Sequence, residues 1–197
     1  MRRRVDSLQL AVLGLLHDGP LHGYEVRRRL DVRLGIFRAL SYGTLYPCLR
    51  TLQAEGWVRE VGVEADAGAG PGRRRARVVY EITDGGRERL GELLHQAGPS
   101  AWDDDTFSVR FALFTRTDPR TRLRILEGRR ARLQERVEQL SRSIDHTREQ
   151  LDAYAYEYQC HEVETARREV DWIDGLISAE GRRQHHHQQE RQSPPVP

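Results

Sequence analysis

The length, composition and charge of the chain limit it to one or two domains that carry more polar surface than usual. It has 197 residues, of which 38% are apolar and 31% charged, and this charged share exceeds that of an ordinary globular domain. Residues 1–97 contain sixteen arginines against twelve acidic residues, and residues 98–197 contain sixteen against eighteen. The N-terminal half is therefore basic, which favours a polyanionic partner.

The two cysteines and the apolar segments exclude several classes of protein. Cys48 and Cys160 have neither the spacing of a metal site nor the number expected of a disulfide framework. The apolar run from Leu8 to Leu16 is too short and too interrupted to span a membrane. We therefore expect a cytoplasmic protein with no metal, no cofactor and no membrane partner.

Helical periodicity predicts three helices in the first 55 residues. The first covers residues 7–17 and stops at the sequence DGP. The second runs over about residues 23–34. Ser41, a favourable N-cap residue, opens a third helix that runs to about Glu55 and buries a stripe of leucines.

Two strands and a fourth helix follow. The segment 57–63 is rich in β-branched residues, and residues 77–82 alternate between apolar and polar side chains. A loop rich in glycine and arginine joins the two strands into a hairpin, and Thr83 caps the next helix. Three helices followed by a basic hairpin is the order of a winged helix-turn-helix, which we assign to residues 1–97.

The C-terminal half is predicted to form long helices. Apolar residues repeat at heptad spacing over 123–158 and again, in a different phase, over 163–177. The phase slip between them marks either a turn between two helices or a stutter in one long helix. We expect residues 98–180 to form a coiled-coil-like dimerisation domain and residues 181–197 a disordered tail. The residues predicted to mediate dimerisation are Leu123, Leu126, Leu133, Val137, Leu140, Ile144, Leu151, Val170, Trp172, Ile173 and Ile177. The expected fold class is thus mainly α with a small β-hairpin.

The start of the third helix and the loop of the hairpin carry the candidate DNA contacts. Hydroxyls at a helix start can donate to phosphates and accept from bases, and a glycine lets the backbone approach the duplex. Pro47 is tolerated near the first turn, where N–H groups lack helical partners. Arginines beside a glycine-rich loop tip suit phosphate or minor-groove contacts. The candidate DNA-binding residues are Ser41, Tyr42, Gly43, Thr44, Tyr46 and Arg50 in the helix, and Arg73, Arg74, Arg75 and Arg77 in the loop.

An alternative interpretation gives the same residues structural roles. Ser41 then only caps the helix, Tyr42 and Tyr46 pack against the core, and the loop is a solvated basic segment. A similar choice applies to the aromatic residues of the C-terminal half, which either line a pocket for a flat small molecule or belong to the core and the interface. The candidates for that pocket are Trp102, Phe107, Phe111 and Trp172.

Three motifs, in order along the chain, resemble the PadR family of transcriptional regulators. They are HGYE after the first helix, S-x-G-T-L-Y-P-x-L-x-x-L-x-x-x-G-W in the third helix, and Y-x-I-T-x-x-G-R after the hairpin loop, and they cover about residues 7–95. FSVRFALF at 107–114, the heptads after 123 and EVDWIDGLI at 169–177 resemble the longer subfamily, which has a virulence-activator-type helical domain. Val78 stands where the family often has a basic residue, which concerns one phosphate contact and not the fold.

The resemblance implies a regulator, in most members a repressor, that binds a two-fold operator near its own or neighbouring genes. Members dimerise through their C-terminal helices. Several are released from DNA by small aromatic or drug-like ligands near the dimer interface, and others act with a partner protein and activate. We therefore expect a homodimeric repressor that binds a double-stranded DNA operator and responds to a small-molecule effector.

Other classes of function fit the sequence less well. An enzyme is not expected, because no nucleophile with a base, no paired carboxylates and no metal spacing are found. The alternatives are a coiled-coil protein-interaction module, since winged helices also bind proteins, and a partner-dependent activator without its own small-molecule effector.

Overall fold

The structure, a computed structural model, describes residues 2–34, 42–64, 77–147 and 152–192. The chain divides into two compact units, the first made of Met1–Gln96 and Asp104–Thr117 and the second of Ala97–Asp103 and Asp118–Pro197. No helix among the described residues is both long and apolar enough to cross a membrane.

The first unit packs four helices and a small sheet around one central helix. From Leu8 to Leu16 the first helix is apolar almost all round, and Val12 and Leu13 are completely buried. A helix without a polar face must be enclosed, and four other helices pack against it. The elements in chain order are α1 (Arg2–Leu16), β1 (Leu21–His22), α2 (Gly23–Leu34), α3 (Tyr42–Ala54), β2 (Val58–Glu64), β3 (Arg77–Ile82), α4 (Asp84–His95) and α5 (Asp104–Ala112). The predicted bounds of α2, α3, β2 and β3 agree with these to within a residue or two, whereas α1 begins five residues earlier than predicted.

The sheet has three antiparallel strands in the order β1-β3-β2. β2 and β3 form the predicted hairpin, with Val58 opposite Ile82. Arg59 on β2 donates two hydrogen bonds, of 3.0 and 2.8 Å, to Oε2 of Glu81 on β3. β1 pairs with the other edge of β3 and was not predicted, because two residues are too few to show an alternation.

Gly56 and Thr83 form the joint between α3, β2 and α4. α3 ends in a Schellman motif, in which Gly56 takes a φ of +73° and the N–H of Trp57 donates to the carbonyl of Leu52 over 2.9 Å. Thr83 Oγ1 accepts from the N–H of Gly86 at 3.0 Å and donates to the carbonyl of Gly56 at 2.6 Å. The joint needs glycine at position 86, because an added Cβ would lie 2.1 Å from the carbonyl oxygen of Trp57.

Helix α5 belongs to the first unit, whereas the sequence analysis placed it in the C-terminal domain. The hydroxyls of Ser7 and Thr106 form a buried hydrogen bond of 2.9 Å between α1 and α5. The buried guanidinium of Arg110 donates to the carbonyls of Leu93 at 3.0 Å and Gln96 at 2.7 Å, at the helix end where the macrodipole favours a cation. Burial lowers the pKa of Arg110. The structure thus cuts across the predicted domain boundary.

The second unit is a helical hairpin preceded by a linker. Arg122 pairs with Glu180 at 3.0 Å, and Arg136 pairs with Glu162 at 3.2 Å. As the residue numbers increase along the first helix, those of their partners on the second helix decrease, so the two helices run antiparallel. They are α6 (Pro119–Thr147) and α7 (Ala153–Gln192), and a single 3-10 turn at Pro99–Ala101 lies in the linker.

The break between the long helices lies earlier than the phase slip at 158–163 predicted. α6 ends at Thr147 and α7 begins at Ala153, so the phase slip falls inside α7. Asp152 caps α7, since its carboxylate accepts a hydrogen bond of 2.8 Å from the N–H of Ala155. This aspartate was the available sequence signal, and a search for glycine and proline alone misses it.

The polar segment from residue 181 is helical as far as Gln192, where a disordered tail was expected. Its arginine, glutamine and glutamate residues are good helix formers, and a helix that is already nucleated extends at little cost. Residues 193–197 lie outside the described part of the chain.

The linker Ala97–Asp103 is fastened to α6 by an aromatic ring and an arginine. Gly128 makes room for Trp102, because an added Cβ there would lie 2.3 Å from Cε3 of the indole. Arg129, which is 6% exposed, donates to the carbonyl of Trp102 at 3.1 Å and to Oε1 of Glu169 on α7 at 2.6 Å. Arg129 of α6 therefore connects the linker and α7 through hydrogen bonds.

Candidate nucleic-acid interface

Helix α3 separates a buried leucine face from an exposed face of small residues. The three leucines of the predicted stripe, Leu45, Leu49 and Leu52, are at most 1% exposed and hold the helix against the core. On the opposite side Pro47, Arg50 and Ala54 are exposed and follow one another at i, i+3 and i+7. The helical backbone places Gly43 one turn before Pro47 on the same line. We call these four residues the outer face of α3.

The outer face has the shape and charge to enter a DNA groove. A helix of 10–12 Å diameter fits the major groove of about 12 Å, and small side chains let its backbone approach the base edges. Arg50 supplies a cation in the middle of the face. Among the described residues, no acidic side chain pairs with Arg50, and a guanidinium carries five N–H donors for an external acceptor.

Three of the four arginines of α2 pair with the two acidic residues of the same helix. Arg28 and Arg29 pair with Glu25 at 3.0 and 2.8 Å, and Arg27 lies 3.8 Å from Asp31. The hydrogen bonds from Arg29 and Arg28 lower the pKa of Glu25. Part of the positive charge counted in the N-terminal half is therefore compensated locally, although such exposed pairs contribute little to stability.

Tyr46 is both packed and accessible. Its side chain is 39% exposed, yet its ring lies at the bare face of Gly23. A Cβ added to Gly23 would come within 3.3 Å of Tyr46 Oη and 3.5 Å of Tyr80 Cε2. Burial raises the pKa of Tyr80. Thr44, half a turn before Tyr46, is exposed. The two interpretations of Tyr46 are thus compatible with one another.

A side-chain hydrogen bond ties the other end of α3 to the hairpin. Gln53 Nε2 donates to Oε1 of Glu60 on β2 over 2.9 Å. The predicted basic loop follows β2. This hydrogen bond therefore links α3 to the strand from which the loop begins. Gln53, Glu60 and Gly23 were not predicted to belong to the site. Of the three, only Gly23 had a sequence signal, because it is the glycine of the HGYE motif.

Pro47 does not sit where the sequence analysis placed it. It is the sixth residue of α3, beyond the N–H groups that lack helical partners, so the hydrogen bond to the carbonyl of Gly43 is lost. Thr51 Oγ1 donates to the carbonyl of Pro47 at 3.0 Å. Pro47 is exposed, so its ring displaces no side chain of the core.

The structure leaves several of the residues predicted to contact DNA undescribed, and for others it gives only their position in a helix or strand. Ser41, Arg73, Arg74 and Arg75 lie outside the described residues. Tyr42 and Gly43 are the first two residues of α3, and Arg77 is the first residue of β3, opposite Glu64. Their predicted contacts with DNA stay predictions.

The predicted ligand-pocket residues are divided between the two units. Phe107 and Phe111 stack on α5 with ring centroids 5.9 Å apart. Trp102 packs on Gly128 in the second unit, and Trp172 on α7 is 46% exposed. A pocket formed by these rings stays a prediction.

The predicted dimerisation seam is partly used within one chain. Leu126, Leu133 and Ile173 are at most 3% exposed inside the α6–α7 hairpin, because heptad spacing gives the same pattern for packing within and between chains. Trp172 remains the most exposed apolar side chain of the seam, and Leu151 lies outside the described residues. The half-buried members are Leu123, Val137, Leu140, Ile144, Val170 and Ile177.

The family model that matches this chain covers part of the first unit. Residues 12–92 match the model of the transcriptional regulator PadR-like family. The negative transcriptional regulator PadR of Bacillus subtilis is 30% identical over 101 residues, which are 50% of this chain and 52% of that protein. A probable transcriptional regulator of Mycobacterium tuberculosis is 31% identical over 88 residues, 45% of this chain and 43% of its own. The chain thus spans about half the length of these relatives or less.

Solved structures resemble the chain over a longer stretch but only loosely. Bacillus subtilis PadR in complex with operator DNA is 20% identical, with 88% of this chain and 98% of that chain covered and a TM-score of 0.40. The same protein in complex with p-coumaric acid is 20% identical, with coverages of 89% and 99% and a TM-score of 0.39. The family and the relatives are transcriptional regulators rather than enzymes. Residues 12–92, which hold all of α2, α3 and the hairpin, are thus similar to the PadR-like family of transcriptional regulators.

Proposed function

We propose that this chain is a sequence-specific DNA-binding regulator that reads its operator with the outer face of α3. The observation that carries the proposal is the exposed line of small residues around Arg50, opposite leucines that are at most 1% exposed. It lies in the segment matched by the PadR-like family model. A helix so anchored can enter a major groove without losing its own packing.

Each part of the interface has a separate chemical role in this proposal. Arg50 donates to a guanine edge or to a phosphate, and the exposed Thr44 hydroxyl bonds the backbone or a base. The loop arginines Arg73, Arg74 and Arg75 contact phosphates or the adjacent minor groove. The loop carries most of the salt dependence, and α3 carries most of the sequence preference.

The dimer belongs to the same proposal. The faces of α6 and α7 that the hairpin leaves open carry the half-buried Val137 and Val170 and the exposed Trp172, which suit contact with a second copy. Two-fold symmetry then requires a pseudo-palindromic operator with half-sites about one helical turn, or a multiple of it, apart.

Repression is the proposed sign of regulation. It is supported by the relative from Bacillus subtilis, which is a negative transcriptional regulator. A small aromatic ligand is proposed to release the regulator from DNA. The residues proposed to bind this ligand are Trp102, Phe107, Phe111 and Trp172. Quenching of tryptophan fluorescence by the ligand, together with weaker DNA binding at the same ligand concentrations, tests this step.

The test of DNA binding is a fluorescence-anisotropy titration of an upstream promoter fragment at several salt concentrations. Arg50→Ala is expected to weaken binding to the fragment by about 10- to 100-fold. The triple variant Arg73→Ala, Arg74→Ala and Arg75→Ala is expected to flatten the salt dependence as well. Arg168→Ala on α7, whose side chain is 64% exposed, is the control and should bind as the wild type does.

One observation favours a protein partner as a second candidate function. Tyr154 and Tyr158, at the start of α7, are 89% and 64% exposed, and exposed aromatic side chains are enriched at protein interfaces. If the full chain binds no duplex even at low salt, the DNA-reading proposal is wrong and a protein-interaction module is favoured.

A further inference from the structure

The start of α2 lacks a side chain where a tyrosine of α3 rests. Gly23 is buried, and a Cβ added there would lie 3.3 Å from Tyr46 Oη and 3.4 Å from Tyr46 Cε1. The third neighbour is Cε2 of Tyr80 on β3, at 3.5 Å. Two rings therefore converge on the bare backbone of one glycine. We call Gly23, Tyr46 and Tyr80 the tyrosine seat.

Two members of the tyrosine seat are fixed by the sheet. Tyr80 pairs with Leu21, and Val79 pairs with His22, the residue before Gly23. Tyr80 is 7% exposed, so neither it nor the backbone at the start of α2 can move without disturbing β1 and β3. Tyr46, 39% exposed, is the member that moves if the seat changes.

Tyr46 adjoins the outer face of α3. It directly precedes Pro47, and Gln53, bound to Glu60 on β2, lies seven residues further along. At 1.5 Å per residue the two ties are about 10 Å apart. These two contacts therefore act near the start and near the end of α3, in addition to the leucines that hold the helix against the core.

From this geometry, and resting on the proposed function, we infer that Tyr46 is a positioning residue. Seated on Gly23 and Tyr80, it sets the register of the outer face of α3 against base edges in the major groove. Base-edge hydrogen bonds fail within a few tenths of an ångström beyond 3.2 Å, whereas attraction to phosphates falls off slowly with distance. A small shift of α3 therefore reduces sequence discrimination and leaves non-specific binding unchanged.

The first test is Gly23→Ala in the full-length chain. It is measured as the ratio of affinities for the best duplex enriched from a randomised pool and for a scrambled duplex of the same length. The added methyl group pushes Tyr46 by a few tenths of an ångström, and we expect the ratio to fall about 3- to 10-fold. The slope of log Kd against log salt should stay as in the wild type. Gly91→Ala on α4, with nothing within 4 Å of its added Cβ, is the matched control and should keep the ratio.

The second test is a double-mutant cycle with Tyr46→Phe, which removes the atom closest to the new methyl group. If the glycine acts through the tyrosine, Tyr46→Phe alone changes the ratio less than twofold and restores most of the loss in Gly23→Ala. Tyr46→Leu, which removes the ring, should lower the ratio by itself, and Gly23→Ala should then add no further loss.

Three results would overturn the inference. One is additive losses in the cycle, which would indicate that Tyr46 Oη contacts the DNA directly. Another is an unchanged ratio in Gly23→Ala, which would mean that the ring moves aside without shifting α3. The last is a changed salt slope in Gly23→Ala, which would indicate a general loss of phosphate contacts. Failure of the proposed function is separate, because it shows in the wild type as equal affinity for the enriched and scrambled duplexes.

Discussion

Gly86→Ala is expected to destabilise the first unit, because the start of α4 touches the backbone before β2. An added Cβ would lie 2.1 Å from the carbonyl oxygen of Trp57 and 2.8 Å from Cγ1 of Ile82. Real Cβ atoms essentially never come closer than 3.0 Å to another heavy atom. α4 must therefore move by about 1 Å, and the obstacle is backbone, which cannot rotate away as a side chain can.

Three contributions determine the change in the free energy of unfolding: two lower it and one raises it. Overpacking of a tight contact costs about 1–3 kcal/mol. The same movement disturbs the Thr83 cap, whose two hydrogen bonds measure 2.6 and 3.0 Å, and losing a cap costs about 1 kcal/mol. Replacing glycine by alanine in a helix returns up to about 1 kcal/mol. The net expected loss is about 1–3 kcal/mol in the free energy of unfolding.

Urea and thermal unfolding followed by circular dichroism measure this loss. A chain of this length loses about 2–4 °C per kcal/mol, so the melting temperature should fall by about 2–12 °C. Gly91→Ala lies in the same helix with open space around the added methyl group, and it should be neutral or slightly stabilising. Equal stability of the two variants would refute the argument from the Trp57 carbonyl.

Three further predictions concern other parts of the chain. Gly128→Ala should destabilise the second unit by about 1–3 kcal/mol and alter tryptophan emission, because the methyl group would lie 2.3 Å from the Trp102 ring; a gain in stability would contradict this. Asp152→Ala should cost about 1 kcal/mol by removing the cap of α7, whereas Asp152→Asn should keep most of it, as chemical denaturation of the two variants can show. Cys48 should not react with a thiol reagent at pH 8 in a Cys160→Ser background until the chain unfolds, because burial raises its pKa to about 12 and leaves it protonated; rapid reaction in the native state would disagree.

The parts of the fold that were predictable depend on local signals. α2 begins at Gly23 and α3 ends before Gly56 as the caps and the apolar spacing indicated. The leucine stripe of α3 is buried, and β3 shows its alternation in the burial of Tyr80 and Ile82. These features are determined within one or two turns of chain.

The parts that were missed depend on contacts distant in sequence. The attachment of α5 to the first unit rests on partners such as Ser7 with Thr106, which are 99 residues apart. Heptad spacing predicted packing for Leu126 and Leu133 but could not tell a partner helix in the same chain from one in a second copy. In the site, the line around Arg50 was predictable from spacing, whereas the role of Gly23 required the position of the Tyr46 ring.

Selection of duplexes from a randomised pool by the full-length chain tests the central claim most directly. The account predicts an enriched two-fold symmetric motif whose half-sites lie about 10–10.5 base pairs, or a multiple of that, between centres. It also predicts that Arg50→Ala loses the preference for one base pair in each half-site. An asymmetric or absent motif, or an Arg50→Ala variant that selects the wild-type motif equally well, would contradict the reading of DNA by the outer face of α3.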